Sequence, residues 1–382
     1  MKIAIAGGGT GGHIYPAAAV IDCLRETGHD VNVTFVGTRR GLERSIVPAL
    51  GYRMRRIISR PMPKKKGLEL ILSLIYAFIG LVQSLAIILC DHPNVVIGTG
   101  GYASGPFVLA ARMAGVPTIL IEPNSIPGRT TMLLAPLVDE IALGFRESIR
   151  HFKKGTNLRV TGVPIRTRLL GRTRAEGIEK FKLDPAKKTV FVFGGSRGAS
   201  SINKAFVDAA KALETRDDLQ FLIQTGDADY QFVSQAAQEL NILCRVYPYI
   251  EDIGYAYAAG ELVVARAGAG AVAELTACGL PSILIPYPHA MGKHQEANAR
   301  LLEQSGAADV ILDEDLDGER LAQAIVAIIG NPERIEDMSG SSRALGKPDA
   351  AGGIASRLLE LGAGKGRFAK LATVIGELCS VR

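Results

Sequence analysis

Four glycine clusters are the first residues whose type and spacing point to chemistry. Gly7-Gly8-Gly9-Thr10-Gly11-Gly12-His13 follows an apolar run and opens an amphipathic stretch. Gly98-Thr99-Gly100-Gly101-Tyr102-Ala103-Ser104-Gly105-Pro106, Gly194-Gly195-Ser196-Arg197-Gly198-Ala199 and Arg266-Ala267-Gly268-Ala269-Gly270 occupy equivalent places. Glycine lets a backbone turn tightly and approach an anion, while the next helix offers unpaired N–H groups at its start. Each cluster lies at the carboxyl end of a candidate strand, where open α/β sheets hold ligands, so the set points to phosphate-bearing ligands. The first cluster fits G-x-G-x-x-G as Gly7, Gly9 and Gly12, but the second strand ends Val36-Gly37-Thr38 with no acid for a ribose. Arg39 and Arg40 would suit a 2′-phosphate, which keeps a nicotinamide-phosphate enzyme open as an alternative.

Dispersed polar residues accompany the loops. Glu274 follows Gly270 by four positions on a candidate helix, where a carboxylate is suited to accept both hydroxyls of a ribose. The six histidines include no HExxH or similar pair, so neither a catalytic metal nor a cofactor is expected. There is no GxSxG elbow and no Walker pattern. The five cysteines are odd in number, far apart and set in apolar stretches, which predicts reduced thiols in a cytoplasmic protein. A strand beginning at residue 2 without a basic leader predicts no secretory signal.

The elements that must position these groups alternate along the chain. Strands are predicted at Lys2–Ala6, Val31–Val36, Met54–Ile58, Val95–Ile97, Thr118–Ile121 and Glu140–Leu143. A second series runs Thr189–Phe193, Gln220–Ile223, Cys244–Val246, Leu262–Val264, Ser282–Ile285 and Asp309–Leu312. Helical periodicity fills most gaps, as at Ala17–Glu26, Ile202–Leu213 and Ala269–Cys278. Such alternation predicts parallel sheets covered by helices on both faces. It occurs twice, with a break near Gly162-Val163-Pro164, and 382 residues exceed one ordinary core. The fold class is therefore α/β: two Rossmann-like, doubly wound domains (1–163 and 164–348) facing a cleft, with C-terminal helices (349–382) open to returning to the N-terminal domain.

Hydrophobic residues make up 47% and charged ones 21%, which excludes a disordered or collagen-like chain. The net charge of +6 is unevenly spread: residues 1–162 carry +9 and the remainder −3. The positive charge is densest from Arg53 to Lys66, where seven Lys and Arg occur without an acid. Such a run is commonly a solvated loop or a nucleic-acid patch, but here Leu68–Cys90 follows, 23 mostly apolar residues interrupted by Glu69, Gln83 and Ser84. A spanning helix would split one sheet across a bilayer. The expectation is a sheet-covering helix with surplus apolar surface, either simply buried or docked peripherally on anionic lipid.

Taken in order, Gly8-Gly9-Thr10-Gly11-Gly12-His13, Gly100-Gly101-Tyr102-Ala103-Ser104-Gly105-Pro106, Glu122-Pro123-Asn124, Gly194 to Ala199, Arg266-Ala267-Gly268-Ala269 with Glu274, and His294-Gln295-Glu296-Ala297-Asn298-Ala299 closely resemble the MurG family of peptidoglycan glycosyltransferases. The resemblance runs from Lys2 to about Leu361; Pro123 departs from it, standing where Gln is common. It implies a GT-B fold and inverting, metal-independent transfer of N-acetylglucosamine from UDP-N-acetylglucosamine to undecaprenyl-pyrophosphoryl-N-acetylmuramoyl-pentapeptide. It also implies a peripheral position on the cytoplasmic face of the membrane, with no nucleic-acid partner and with a cell-wall synthesis complex as a compatible one. By motif, sugar-nucleotide contacts fall on Thr10, Gly11, Gly12, Asn124, Arg166, Ser196, Ile250, Glu274 and Gln295. Ile250 is expected to hold uracil through its backbone, Glu274 the ribose, and Ser196 with its loop the diphosphate.

An inverting transfer needs a base beside the acceptor hydroxyl and donors around the departing diphosphate. His13 is the candidate base, because an imidazole exchanges protons near neutral pH. Two alternatives remain at this stage: a UDP-N-acetylglucosamine 2-epimerase on the same architecture, and a nucleotide-sugar-binding module without turnover.

Overall fold

The computed structural model describes residues 1–9, 11–38, 41–60 and 68–363. Thr10, Arg39, Arg40, Lys64, Lys65, Lys66 and the tail beyond residue 363 lie outside the described residues. The chain divides into two compact units, one formed by Met1–Arg166 and the segment from Asp349, the other by Thr167–Pro348. Arg166 therefore belongs with the first unit rather than with the second, where the sequence placed it.

The strands of the first unit are β1 (Lys2–Ala6), β2 (Asn32–Gly37), β3 (Arg53–Arg56), β4 (Val95–Gly98), β5 (Thr118–Glu122), β6 (Glu140–Leu143) and β7 (Leu158–Val160). All pair in parallel, in the order β3-β2-β1-β4-β5-β6-β7. Its helices are α1 (Gly11–Glu26), α2 (Glu43–Ala49), α3 (Leu68–Asp91), α4 (Ser104–Met113) and α5 (Arg129–Leu134). Alternate residues of β1 serve opposite cores: Ile3 and Ile5 pack with Ile14, Val20 and Leu24 of α1, whereas Ala4 and Ala6 face Phe107 and Ala111 of α4.

The second unit contains β8 (Lys188–Phe193), β9 (Leu219–Gln224), β10 (Cys244–Tyr247), β11 (Leu262–Ala265), β12 (Ser282–Leu284) and β13 (Ala308–Val310), again all parallel. The order β10-β9-β8-β11-β12-β13 reverses direction around β8, and such a switch point is where doubly wound sheets bind ligands. Its helices are α6 (Arg174–Phe181), α7 (Ser200–Ala212), α8 (Tyr230–Gln238), α9 (Ile253–Ala259), α10 (Ala269–Cys278), α11 (His294–Gln304), α12 (Gly318–Ile329) and α13 (Pro332–Leu345). Phe206 of α7 and Ile325 of α12 close one face of the sheet over Val190 and Val192. Tyr257 of α9 closes the other over Phe191 and Phe193.

The last described helix, α14 (Ala350–Ala363), returns to the first unit. Ile354, Ala355 and Leu358 enter its core, and Arg357 pairs with the buried carboxylate of Glu140 at 2.7 Å.

Helix α3 is turned inside out. Its buried positions are Ser73, Gly80, Ser84 and Ile88, while Ile71, Leu74, Ile75, Phe78 and Val82 are exposed. Gly80 allows the close approach: a Cβ there would meet the Ile58 carbonyl. Ser84 returns its hydroxyl to the Gly80 carbonyl at 2.6 Å, and Gln83 accepts the Ile58 N–H at 2.7 Å. Among the described residues it is the one helix long and apolar enough to cross a bilayer. Of the basic run beside it, Arg55 pairs with Asp91 at 2.9 Å and Arg60 stacks on Tyr76 at 4.2 Å.

Candidate active site

In the first unit, the loops after β1, β4 and β5 gather at the carboxyl ends of adjacent strands. The first two touch backbone to backbone. Gly101 has φ +78, and a Cβ there would stand 2.5 Å from the Gly8 carbonyl oxygen, so both conformation and space require glycine. His13 sits in the first turn of α1 with Nδ1 2.8 Å from the Gly8 carbonyl oxygen. A carbonyl only accepts, so Nδ1 carries a proton, and of the two neutral tautomers this contact selects the one with its lone pair at Nε2. That edge faces Gly100, where a Cβ would lie 3.4 Å from Nε2. An imidazole held in this tautomer is set up to accept a proton.

Glu43 went unnoticed in the sequence. Its side chain is buried, and it accepts the Gly9 N–H at 2.8 Å, the Thr38 N–H at 2.9 Å and the Thr38 hydroxyl at 2.8 Å. Burial alone would raise its pKa, but the bonds from Gly9 and Thr38 outweigh burial and hold the carboxyl below the usual carboxylate range. The acid missing from the end of β2 is thus present, supplied by α2 and turned inward on the glycine loop.

A second buried acid, Glu122, fixes the loop after β5. Its Oε1 accepts the Asn124 N–H at 3.2 Å and the Asn124 amide at 3.4 Å, while Oε2 accepts the Gly128 N–H at 2.9 Å. Ser148 donates to the Asn124 carbonyl at 3.2 Å, and Thr130 bonds the Gly101 carbonyl at 3.4 Å. Asn124 is thus held by Glu122 beside Pro123, which is buried. The Arg166 guanidinium lies over the Tyr15 ring at 5.0 Å, on the same helix as His13, Gly11 and Gly12.

In the second unit the loop after β8 exposes Ser196, with Gly195 and Gly198 both at positive φ. Gln224, which is buried, couples this loop to another. Its amide donates to the Gly195 carbonyl at 3.1 Å and its Oε1 accepts the Ile250 N–H at 2.8 Å. Of the two backbone polar groups expected to hold uracil at Ile250, the N–H is therefore already engaged. Glu274 lies on the second turn of α10 and receives the Tyr257 hydroxyl at 2.8 Å. Gln295 is the second residue of α11; its Oε1 accepts the Tyr287 N–H at 3.0 Å, and its Nε2 stands 4.0 Å from where a Gly268 Cβ would be.

The loop 266–270 is braced from both sides. Arg266 pairs with Asp313, donates to the Pro286 carbonyl at 3.1 Å and bonds the Ser201 hydroxyl at 2.8 Å; Asn298 bonds the Ala267 carbonyl at 3.3 Å. Glu43, Gln224 and Asp313 carried no motif of their own. Glu43 and Gln224 reach backbone groups of Gly9 and Gly195 from 34 and 29 positions away, and Asp313 reaches the Arg266 side chain from 47, which spacing does not reveal.

Two parallel sheets with glycine loops at their carboxyl ends define the GT-B class of fold. Residues 3–143 match the glycosyltransferase family 28 N-terminal domain and residues 189–353 its C-terminal domain. A UDP-N-acetylglucosamine--N-acetylmuramyl-(pentapeptide) pyrophosphoryl-undecaprenol N-acetylglucosamine transferase from Halothermothrix orenii is 42% identical over 91% of this chain and 95% of its own. One of the same name from Desulforamulus reducens is 43% identical over 93% and 97%. The crystal structure of Acinetobacter baumannii MurG superposes with a TM-score of 0.76 at 24% identity, covering 94% of this chain and 99% of that one. A UDP-N-acetylglucosamine 2-epimerase structure from Listeria monocytogenes reaches 0.65 at 13% identity, covering 93% and 95%, a likeness of fold alone. The chain belongs to the MurG branch of glycosyltransferase family 28.

Proposed function

We propose that this protein transfers N-acetylglucosamine, with inversion, from UDP-N-acetylglucosamine to undecaprenyl-pyrophosphoryl-N-acetylmuramoyl-pentapeptide in peptidoglycan synthesis. The observation that carries this is the alignment of more than nine-tenths of the chain, at 42–43% identity, with transferases so named. The first unit takes the lipid-linked acceptor, and the second, Thr167–Pro348, takes the UDP-sugar. His13 Nε2 removes the proton from the acceptor hydroxyl as that oxygen attacks the anomeric carbon and UDP departs. The diphosphate meets N–H groups of the loop containing Ser196, at the start of α7, together with Arg166. Glu274 accepts the ribose hydroxyls and the Ile250 carbonyl faces uracil, with Asn124 and Gln295 completing the contacts alongside the loop of Thr10, Gly11 and Gly12.

A nicotinamide-phosphate enzyme fits less well. Glu43 fills the end of β2, where a dinucleotide ribose would lie, and turns its oxygens to Gly9 and Thr38. The apolar face of α3 and the adjoining cations support docking on the cytoplasmic leaflet, which brings the enzyme to a lipid whose long chain leaves the bilayer only at great cost. A cell-wall synthesis complex would supply further partners at that surface.

The test is to incubate the protein with labelled UDP-N-acetylglucosamine, with and without the lipid acceptor. Acceptor-dependent release of UDP and a labelled lipid product are expected. Epimerised sugar, or no turnover with either mixture, would overturn the assignment.

A further inference from the structure

Tyr257 is only 1% exposed, set edge-on to Phe191 and Phe193 at ring-centroid distances of 5.8 and 5.9 Å. Packing of this kind asks for a ring but not for a hydroxyl; phenylalanine would fill the same space. A buried phenol needs a partner, and this one donates to Glu274 Oε2 at 2.8 Å. Burial first, then the neighbouring Glu274 charge, push the hydroxyl well above its ordinary value of 10, so it stays protonated and keeps donating throughout the physiological range.

We propose that Tyr257 is a positioning residue for nucleotide recognition: its hydroxyl pins one oxygen of Glu274 so that the carboxylate is already aimed at the two ribose hydroxyls before the nucleotide arrives. The inference rests on Glu274 being the ribose ligand. A carboxylate offers about four lone-pair sites, and the tyrosine hydroxyl takes one of them. A helical glutamate has several rotamers open to it, and a bond from a fixed, buried phenol narrows that choice before binding. Phe193 extends the connection, because it packs on Tyr257 and directly precedes the loop from Gly194 to Ala199. The same ring thus stands behind the carboxylate and behind the root of the diphosphate loop.

The test compares wild type, Tyr257→Phe, Glu274→Ala and the double variant, each titrated calorimetrically with UDP and with 2′,3′-dideoxyuridine diphosphate. Tyr257→Phe should weaken UDP about 2- to 12-fold, the range of one ordinary hydrogen bond. Its affinity for the dideoxy nucleotide should equal that of wild type, and adding it to Glu274→Ala should cost nothing more. Equal losses for both nucleotides would mean that the hydroxyl only supports the fold, overturning the inference. If Glu274→Ala weakens UDP and Tyr257→Phe does not, the inference alone falls. If Glu274→Ala binds UDP as wild type does, the ribose assignment falls and the inference with it.

Discussion

The Glu43 carboxylate accepts the N–H of Gly9 at 2.8 Å, tying the start of α2 to the glycine loop that opens α1. A negative charge beneath this loop costs some attraction for the phosphate proposed to bind there. What it provides is shape: a Gly9 N–H held inward, away from the loop's open side.

The first prediction follows from its titration. Removing this acceptor leaves buried N–H groups unpaired, so Glu43→Ala should destabilise the protein by about 1–3 kcal/mol at pH 7. The folded pKa lies below that of a free glutamate, about 4.3–4.5, so the stabilisation is complete above that value and is lost as pH falls through the folded pKa. Unfolding midpoints of wild type and Glu43→Gln, recorded from pH 7 to pH 3, should converge at the acid end. A constant gap would mean that the charge of Glu43 contributes nothing.

For His13, the expected change is in kcat. His13→Ala should lower it by roughly 10²–10⁴-fold while UDP affinity, measured by calorimetry, stays within about twofold. A variant that keeps kcat and loses only acceptor affinity would recast His13 as a binding residue.

Gln224 offers a different readout. Gln224→Leu deletes both the donor to Gly195 and the acceptor for Ile250, and should weaken UDP by about 1–3 kcal/mol. Gln224→Glu keeps the acceptor and loses the donor, so it should bind uridine better than Gln224→Leu does. Titrations of each variant with uridine and UDP check both statements; identical uridine affinities would dissociate Gln224 from the base-binding loop.

On α3, Ile75→Ser together with Phe78→Ser should reduce binding to anionic vesicles by about 1.5–3 kcal/mol per side chain. Both are exposed, at 50% and 66%, so the unfolding midpoint should stay where it is. Neutralising Lys64, Lys65 and Lys66 should cost about 1 kcal/mol per charge, and high salt should mimic that loss. Cosedimentation provides the measurement; binding indifferent to all three changes would place the contact surface elsewhere.

Much of this architecture was legible in the sequence because buried parallel strands are written as apolar runs. Lys2–Ala6 and Glu140–Leu143 were read to the residue, as was the helix Ala269–Cys278. The misses have physical causes. Edge strand β7, Leu-Arg-Val, is three residues long and largely exposed, so it carries no hydrophobic signature. Helix α1 starts at Gly11, six residues before the stretch read as helical, because Gly11, Gly12 and His13 carry no apolar signature and only Ile14 of the first turn enters the core. His13 and Glu274 could be singled out because each stands beside a glycine cluster. Tyr257 could not: in the sequence it is one apolar residue among Ala256, Ala259 and Leu262.

The return of α14 to the first unit has a consequence for how the protein is made. Unit two, Thr167–Pro348, lies wholly between the two stretches that build unit one. At about 5–20 residues per second, a ribosome takes roughly 10–40 s to traverse it. During that interval Ile3, Val20 and Leu24 wait without Ile354 and Leu358, and Glu140 waits without Arg357. The nascent first unit is therefore a lidless core until nearly the whole of this sequence has been synthesised. Folding of the enclosed unit does not depend on that closure, so the order of maturation runs from the middle of the chain outward. Truncation just before Asp349 should leave a soluble, UDP-binding second unit attached to a first unit captured by chaperones.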